Sequence, residues 1–165
     1  MKKRWICLFV ENDIGVLAKV TGLFSAKSYN LNSLTVGVTE DTSISRMTIS
    51  LISDDKTFEQ VKKQLNRCVE IIKVIDYTDI GVCRKEIMFI KINKCSSKDM
   101  EEITRLVQVF KLKIMDYNKT TALIESIQTE ERNQDLAFLF ENTFMNRIEI
   151  VRGGSVGIES ISIIR

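Results

Sequence analysis

An α+β fold built from two βαββαβ units is what this sequence predicts, and three observations carry the prediction. Apolar residues alternate in short β-rich runs, and between those runs they recur at helical spacing. The order strand, helix, strand, strand, helix, strand is read twice along 165 residues. That length suits one domain or two small ones of about 80 residues each.

The first unit opens with "RWICLFV" (4–10), a β-rich run. "GVLAKVTGLFSAKS" (15–28) places Val16, Leu17, Val20, Leu23 and Phe24 on one helical stripe. "LNSLTVGVT" (31–39) alternates, the acidic turn "EDTS" reverses the chain, and "ISRMTISLIS" (44–53) alternates again, which makes a hairpin. "DDKTFEQVKKQLNRC" (54–68) begins with acids near the positive end of a helix dipole and carries Phe58, Val61 and Leu65 on one face. "VEIIKVIDYT" (69–78) closes the unit as a strand. Such an order folds as a four-stranded antiparallel sheet with both helices on one face, the ferredoxin-like arrangement.

The second unit repeats the rhythm with weaker cues: "KEIMFIKIN" (85–93), "SKDMEEITRLVQVF" (97–110), "LKIMDYN", "TALIESIQT", "EERNQDLAFLFENTF" (130–144) and "RIEIVRGG". Ser96 or Ser97, followed by acids, suits a helix start, and "NKTT" (118–121) suits a hairpin turn. The boundary falls in "TDIGVC", giving units 1–78 and 79–165, with no proline or low-complexity linker between them.

Composition excludes several functions. Hydrophobic residues make up 44% and no apolar run approaches the roughly 18 residues of a membrane span. "MKKRWICLFVEND" reads as a first strand rather than a signal peptide, because its short apolar part meets Glu11 and Asn12. A net charge of +2, from 24 basic and 22 acidic residues scattered along the chain, leaves no footprint for nucleic acid. Cys7, Cys68, Cys83 and Cys95 form no C-x-x-C pair and read as reduced, small buried side chains of a cytoplasmic protein. Histidine is absent, which removes every Ser-His, Cys-His and His-ligand mechanism. The loop "VENDIGVL" has no arginine for a phosphate and no metal-binding cysteine pair, and Glu101, Glu102, Glu130 and Glu131 read as solvated helix faces. No catalytic residue and no metal site is expected.

What stands out is a polar loop. Asn12, Asp13 and Gly15 sit where the first helix begins, and a helix N-terminus offers unpaired N–H groups to a carboxylate or phosphate. Asn12 or Asp13 can serve as the cap, but a glycine at a helix start costs stability relative to alanine, and it has a use where something must approach the backbone closely. Asn30 follows the same helix, and the strand after it is an edge strand with neither proline nor lysine to block pairing. A homodimer through that edge would let the junction around Asn30 of one chain approach the Asn12–Gly15 loop of the other, enclosing an amino acid whose side chain meets Ile14, Val16 and Leu31.

"FVENDIGVLAKVTGLFSAKSYNLNSLTVG", "TEDTSISRMTI", "VKKQLNRCVEIIKV" and "IEIVRGGSVGIESI" together resemble the small regulatory subunit family of acetolactate synthase (acetohydroxyacid synthase). The resemblance implies an N-terminal ACT domain, a C-terminal domain of related topology and a homodimer. It also implies a separate catalytic subunit that carries thiamine diphosphate, Mg and FAD. A branched-chain amino acid, usually valine, would bind at Asn12, Asp13, Ile14, Gly15, Val16 and Leu17, with Asn30 and Leu31 from the partner, and exert feedback inhibition. Two positions depart from the family pattern: Ser28 replaces a common glycine, and "VTEDTSIS" lacks a common proline. The polar face with Gln60 and Lys63 is a candidate contact for the catalytic subunit, though a plain solvated face is the stronger reading. The other class of function that the first unit allows is a free-standing ACT-type amino-acid sensor; the matching second half and the lack of a helix-turn-helix segment disfavour it.

Overall fold

Among the described residues twelve elements follow one another as β1 (Lys2–Glu11), α1 (Val16–Ser25), β2 (Leu31–Val38), β3 (Ile44–Ser53), α2 (Asp55–Leu65) and β4 (Ile71–Asp76), then β5 (Val82–Ile92), α3 (Ser97–Phe110), β6 (Lys113–Tyr117), β7 (Ala122–Gln128), α4 (Glu130–Thr143) and β8 (Ile148–Glu159). The structure is a computed structural model that describes residues 1–26 and 29–162; Ser28 lies outside the described residues. The strands make two four-stranded sheets of the same order, β2-β3-β1-β4 and β6-β7-β5-β8. Their pairing is antiparallel in every ladder of the first sheet and in the β5–β7 and β6–β7 ladders of the second.

The chain forms two units. Met1–Cys83 together with the described residues from Ser155 on make the first, and Arg84–Gly154 make the second. The end of β8 therefore belongs with the first unit, a return that no local pattern in the sequence announces.

In the first unit the alternation of β1 and β3 sends Ile6, Leu8, Val10, Met47, Ile49 and Leu51 to one face of the sheet. Val16, Val20 and Phe24 from α1, with Phe58, Val61 and Leu65 from α2, cover that face. Each large side chain so buried stabilises the fold by about 1.5–3 kcal/mol. The opposite face is not bare: Trp5, Cys7 and Tyr77 are buried there, with Phe9, Ile75 and Val82 packed against them. The second unit buries Met88, Ile90 and Ile92 of β5 under Ile103 and Leu106 of α3 and Leu136 and Phe140 of α4. A polar knot joins β5, β7, α4 and β8. Asn133, fully buried, donates to the Glu86 carbonyl and carboxylate at 3.0 Å and accepts from Ser126, and Arg152 grips the same carboxylate at 2.7 and 3.1 Å.

Three of the four helices among the described residues start on a side-chain cap: Asp54 for α2, Ser96 for α3 and Thr129 for α4. Ser96, not Ser97, is thus the cap of α3. Helix α1 starts without one. No helix among the described residues is long and apolar enough to cross a membrane.

Candidate functional site

The loop between β1 and α1 owes its shape to Gly15. Its φ of 88° is left-handed, a conformation in which a side chain meets the following carbonyl, and it turns the chain into α1 within one residue. Neither Asn12 nor Asp13 caps the helix, which corrects the expectation that one of them would. Only the Asp13 carbonyl reaches back, accepting from Val16 N at 3.4 Å. Helix geometry leaves the Leu17 and Ala18 N–H groups without an intrahelical acceptor, and Gly15 keeps space beside them open, since a Cβ built there meets nothing within 4 Å.

Asn12 does something else. Its N–H donates to the Ser43 carbonyl at 2.7 Å and its Nδ2 to the Thr42 carbonyl at 2.9 Å. Its Oδ1 accepts from Ser45 Oγ at 2.9 Å. The β2–β3 hairpin is thereby tied to the loop. The hairpin is itself braced by Asp41, whose carboxylate accepts from Ser43 N and Oγ at 2.9 and 2.6 Å; those bonds hold its pKa below the usual carboxylate value. An amide has two donor hydrogens and two acceptor lone pairs, so Asn12 keeps one of each for a further partner.

The remaining predicted residues divide into two places. Val16 is buried in the core, whereas Asp13 and Leu17 are exposed and Ile14 is fully so, at 106%. Ile14 is an isoleucine with no partner surface in the protomer. Asn30 and Leu31 lie past the far end of α1, a helix of 10 residues and hence about 15 Å long, so one chain does not bring them to the loop. Asn30 is exposed, and Leu31 is half-buried against the core. Strand β2 occupies the sheet edge, as expected, with Val36 and Val38 about half exposed. Beyond the loop, Lys19 of α1 forms an ion pair with Glu70, which raises the lysine pKa and lowers that of the glutamate.

No cluster of three or more potential metal ligands exists among the described residues. Glu102 pairs with Arg105 one helical turn away, as a solvated helix face does, and Gln60 and Lys63 are exposed. All four cysteines are free; Cys7 and Cys95 are buried as expected, but Cys83 is exposed, which corrects the reading of all four as buried. Sequence reasoning missed Ser45 and Arg46, neighbours on β3 that face opposite ways; alternation alone distinguishes their faces but names no partners.

Comparison with known proteins agrees along the chain. A family described as "AHAS small subunit-like ACT domain" matches residues 6–73, and one described as "Small subunit of acetolactate synthase" matches 85–161. The chain is 35% identical over 158 residues to the acetolactate synthase small subunit of Buchnera aphidicola subsp. Schizaphis graminum, covering 94% of this chain and 98% of that one. It is also 35% identical over 157 residues to the isozyme 3 small subunit of Salmonella typhimurium, 94% of each. The crystal structure of the acetolactate synthase small subunit from Thermotoga maritima superposes with a TM-score of 0.87 at 30% identity, covering 99% of this chain and 100% of that one.

Proposed function

This chain belongs to the acetolactate synthase small-subunit family, the non-catalytic subunit of that enzyme, and from that premise we propose that it activates a separate catalytic subunit and makes it sensitive to a branched-chain amino acid, valine first. Thiamine diphosphate, Mg and FAD sit on that partner, in the cytoplasm. The observation that carries the reading is the uncapped N-terminus of α1 at Gly15, beside an Asn12 with spare hydrogen-bonding capacity and a fully exposed Ile14.

The effector carboxylate meets the N–H groups at the helix start, its ammonium meets amide and carbonyl oxygens, and its side chain covers Ile14 and Leu17. Pairing of two β2 edges brings Asn30 and Leu31 of a second copy to complete the pocket. Effector binding then favours a dimer arrangement that supports catalysis less well. Couplings of about 1–3 kcal/mol correspond to roughly 5- to 150-fold in affinity, enough for feedback.

Thermal melting of the purified chain with valine, leucine and isoleucine tests this. At about 100 times Kd a ligand adds roughly 2.7 kcal/mol, and for a chain of this size each kcal/mol raises the transition by about 2–4 °C. Gly15→Asp places a carboxylate where the ligand's own would sit. It removes the melting shift and the inhibition while activation survives. A variant that shifts and is inhibited like the parent would put the effector elsewhere.

A further inference from the structure

Strand β8 begins in the second sheet, and from Ser155 onward it belongs to the first unit. Two side chains on the helix-free face of the first sheet hold it there. Thr35 Oγ1 on β2 donates to the Ser155 carbonyl at 2.8 Å. Arg46 on β3 donates through Nη2 to the Gly157 carbonyl at 2.6 Å and to the Tyr77 hydroxyl at 2.6 Å, and through Nε to Cys7 Sγ at 3.2 Å. Ser155 and Gly157 are two residues apart, the spacing at which a strand presents carbonyls to the same side. The rings of Phe9 and Tyr77 flank the guanidinium with centroids at 5.4 and 5.9 Å. Burial, with Cys7 beside it, pushes the Tyr77 hydroxyl up to about 12, so it stays protonated at neutral pH.

Arg46 directly follows Ser45, and Ser45 is the residue whose hydroxyl holds Asn12 of the candidate effector loop. One dipeptide on β3 thus grips the effector loop with one side chain and the end of β8 with the next. We propose that Arg46 is the positioning residue through which occupancy at the Gly15 loop is transmitted to β8, and so to the second unit. This rests on the regulatory reading above. A small displacement of β3 at its hairpin end moves both grips, because backbone geometry locks adjacent residues together. The guanidinium is the group suited to the task, since its planar fork serves three acceptors in fixed directions and an ammonium does not.

The test uses the complex with its catalytic subunit. Arg46→Lys keeps the charge and loses the fork; Tyr77→Phe removes one hydroxyl and is the milder variant should the first fold poorly. Valine is expected to raise the melting temperature of both variants as it does the parent, and both activate the catalytic subunit. The valine concentration for half inhibition rises by about tenfold or more in Arg46→Lys, within the range of allosteric couplings, and by less in Tyr77→Phe. Amide exchange from Val156 to Glu159 becomes faster in Arg46→Lys. Inhibition that tracks valine binding in both variants as in the parent overturns the proposal. Binding and inhibition lost together also overturn it, because that is what a purely structural role predicts. A parent chain whose melting no branched-chain amino acid shifts defeats the regulatory reading itself, and this inference with it.

Discussion

Two loops occupy the same place in the two units, each leading from the first strand to the first helix, and they are built in opposite ways. Before α3 the chain is closed by side chains: Ser96 and Asp99 cap each other's backbone groups, and Arg147 binds Asp99 at 2.8 and 3.2 Å and the Lys94 carbonyl at 3.0 Å. Before α1 there is no side-chain cap, only left-handed Gly15 and an isoleucine in solvent. One topology therefore carries a loop closed by side-chain caps and a loop whose helix starts with no side-chain cap. The difference teaches that the ferredoxin-like order does not itself fix how its strand-to-helix loop is closed. What separates the two is whether the N–H groups at the helix start already have acceptors.

The largest test of this contrast lies in the closed unit. Arg152→Ala leaves the Glu86 carboxylate, 4% exposed, without its guanidinium. Chemical denaturation should show a loss of about 3–5 kcal/mol, the range for breaking a buried ion pair on one side. A loss below about 1 kcal/mol would mean that Asn133 suffices and that the knot is looser than its distances suggest.

A smaller effect is expected at the closed loop. The Arg147 guanidinium and the Ser96 N–H and hydroxyl hold the Asp99 carboxyl well below the usual carboxylate range. A carboxylate whose folded pKa is depressed adds stability above its unfolded pKa, near 3.9, and loses it as pH falls through the folded value. Asp99→Asn should cost about 1–2 kcal/mol at neutral pH, discounted for partial exposure, and should cost little in strong acid. Melting temperatures of the two chains that stay equally far apart down to strong acid would show that Asp99 acts through packing instead.

The smallest effect on stability belongs to the open loop. Ile14→Ser removes a side chain that touches nothing in the protomer, so denaturation should change by less than about 0.5 kcal/mol. Valine binding, read by calorimetry, should nonetheless weaken by about tenfold, because the ligand's side chain loses apolar contact. A variant that binds as the parent does would take Ile14 out of the pocket.

Much of this architecture was legible before any coordinates. The stripe of Val16, Val20 and Phe24, the alternation of Met47, Ile49 and Leu51 and the exposed edge at β2 are local patterns, and burial follows their periods of 3.6 and 2. The glycine at the start of α1 was legible for the same reason, since the strand end, the loop and the helix are neighbours in sequence. The partners of those residues were not. Asn12 turned out to bind the hairpin at Ser43, Thr42 and Ser45 rather than the helix beside it, because the β1–β3 ladder sets Val10 opposite Ser45 and Glu11 opposite Ile44.

By itself, then, the amino-acid sequence determined the order of elements and the faces they bury, which depend on residues within a few positions of one another. Only the tertiary structure decided that α1 goes uncapped, that Glu86 is held by Arg152 and that Arg46 holds Gly157. Those last two pairs lie 66 and 111 positions apart. No helical or strand period spans such distances; the members of each pair meet because their chain segments pack within the same unit.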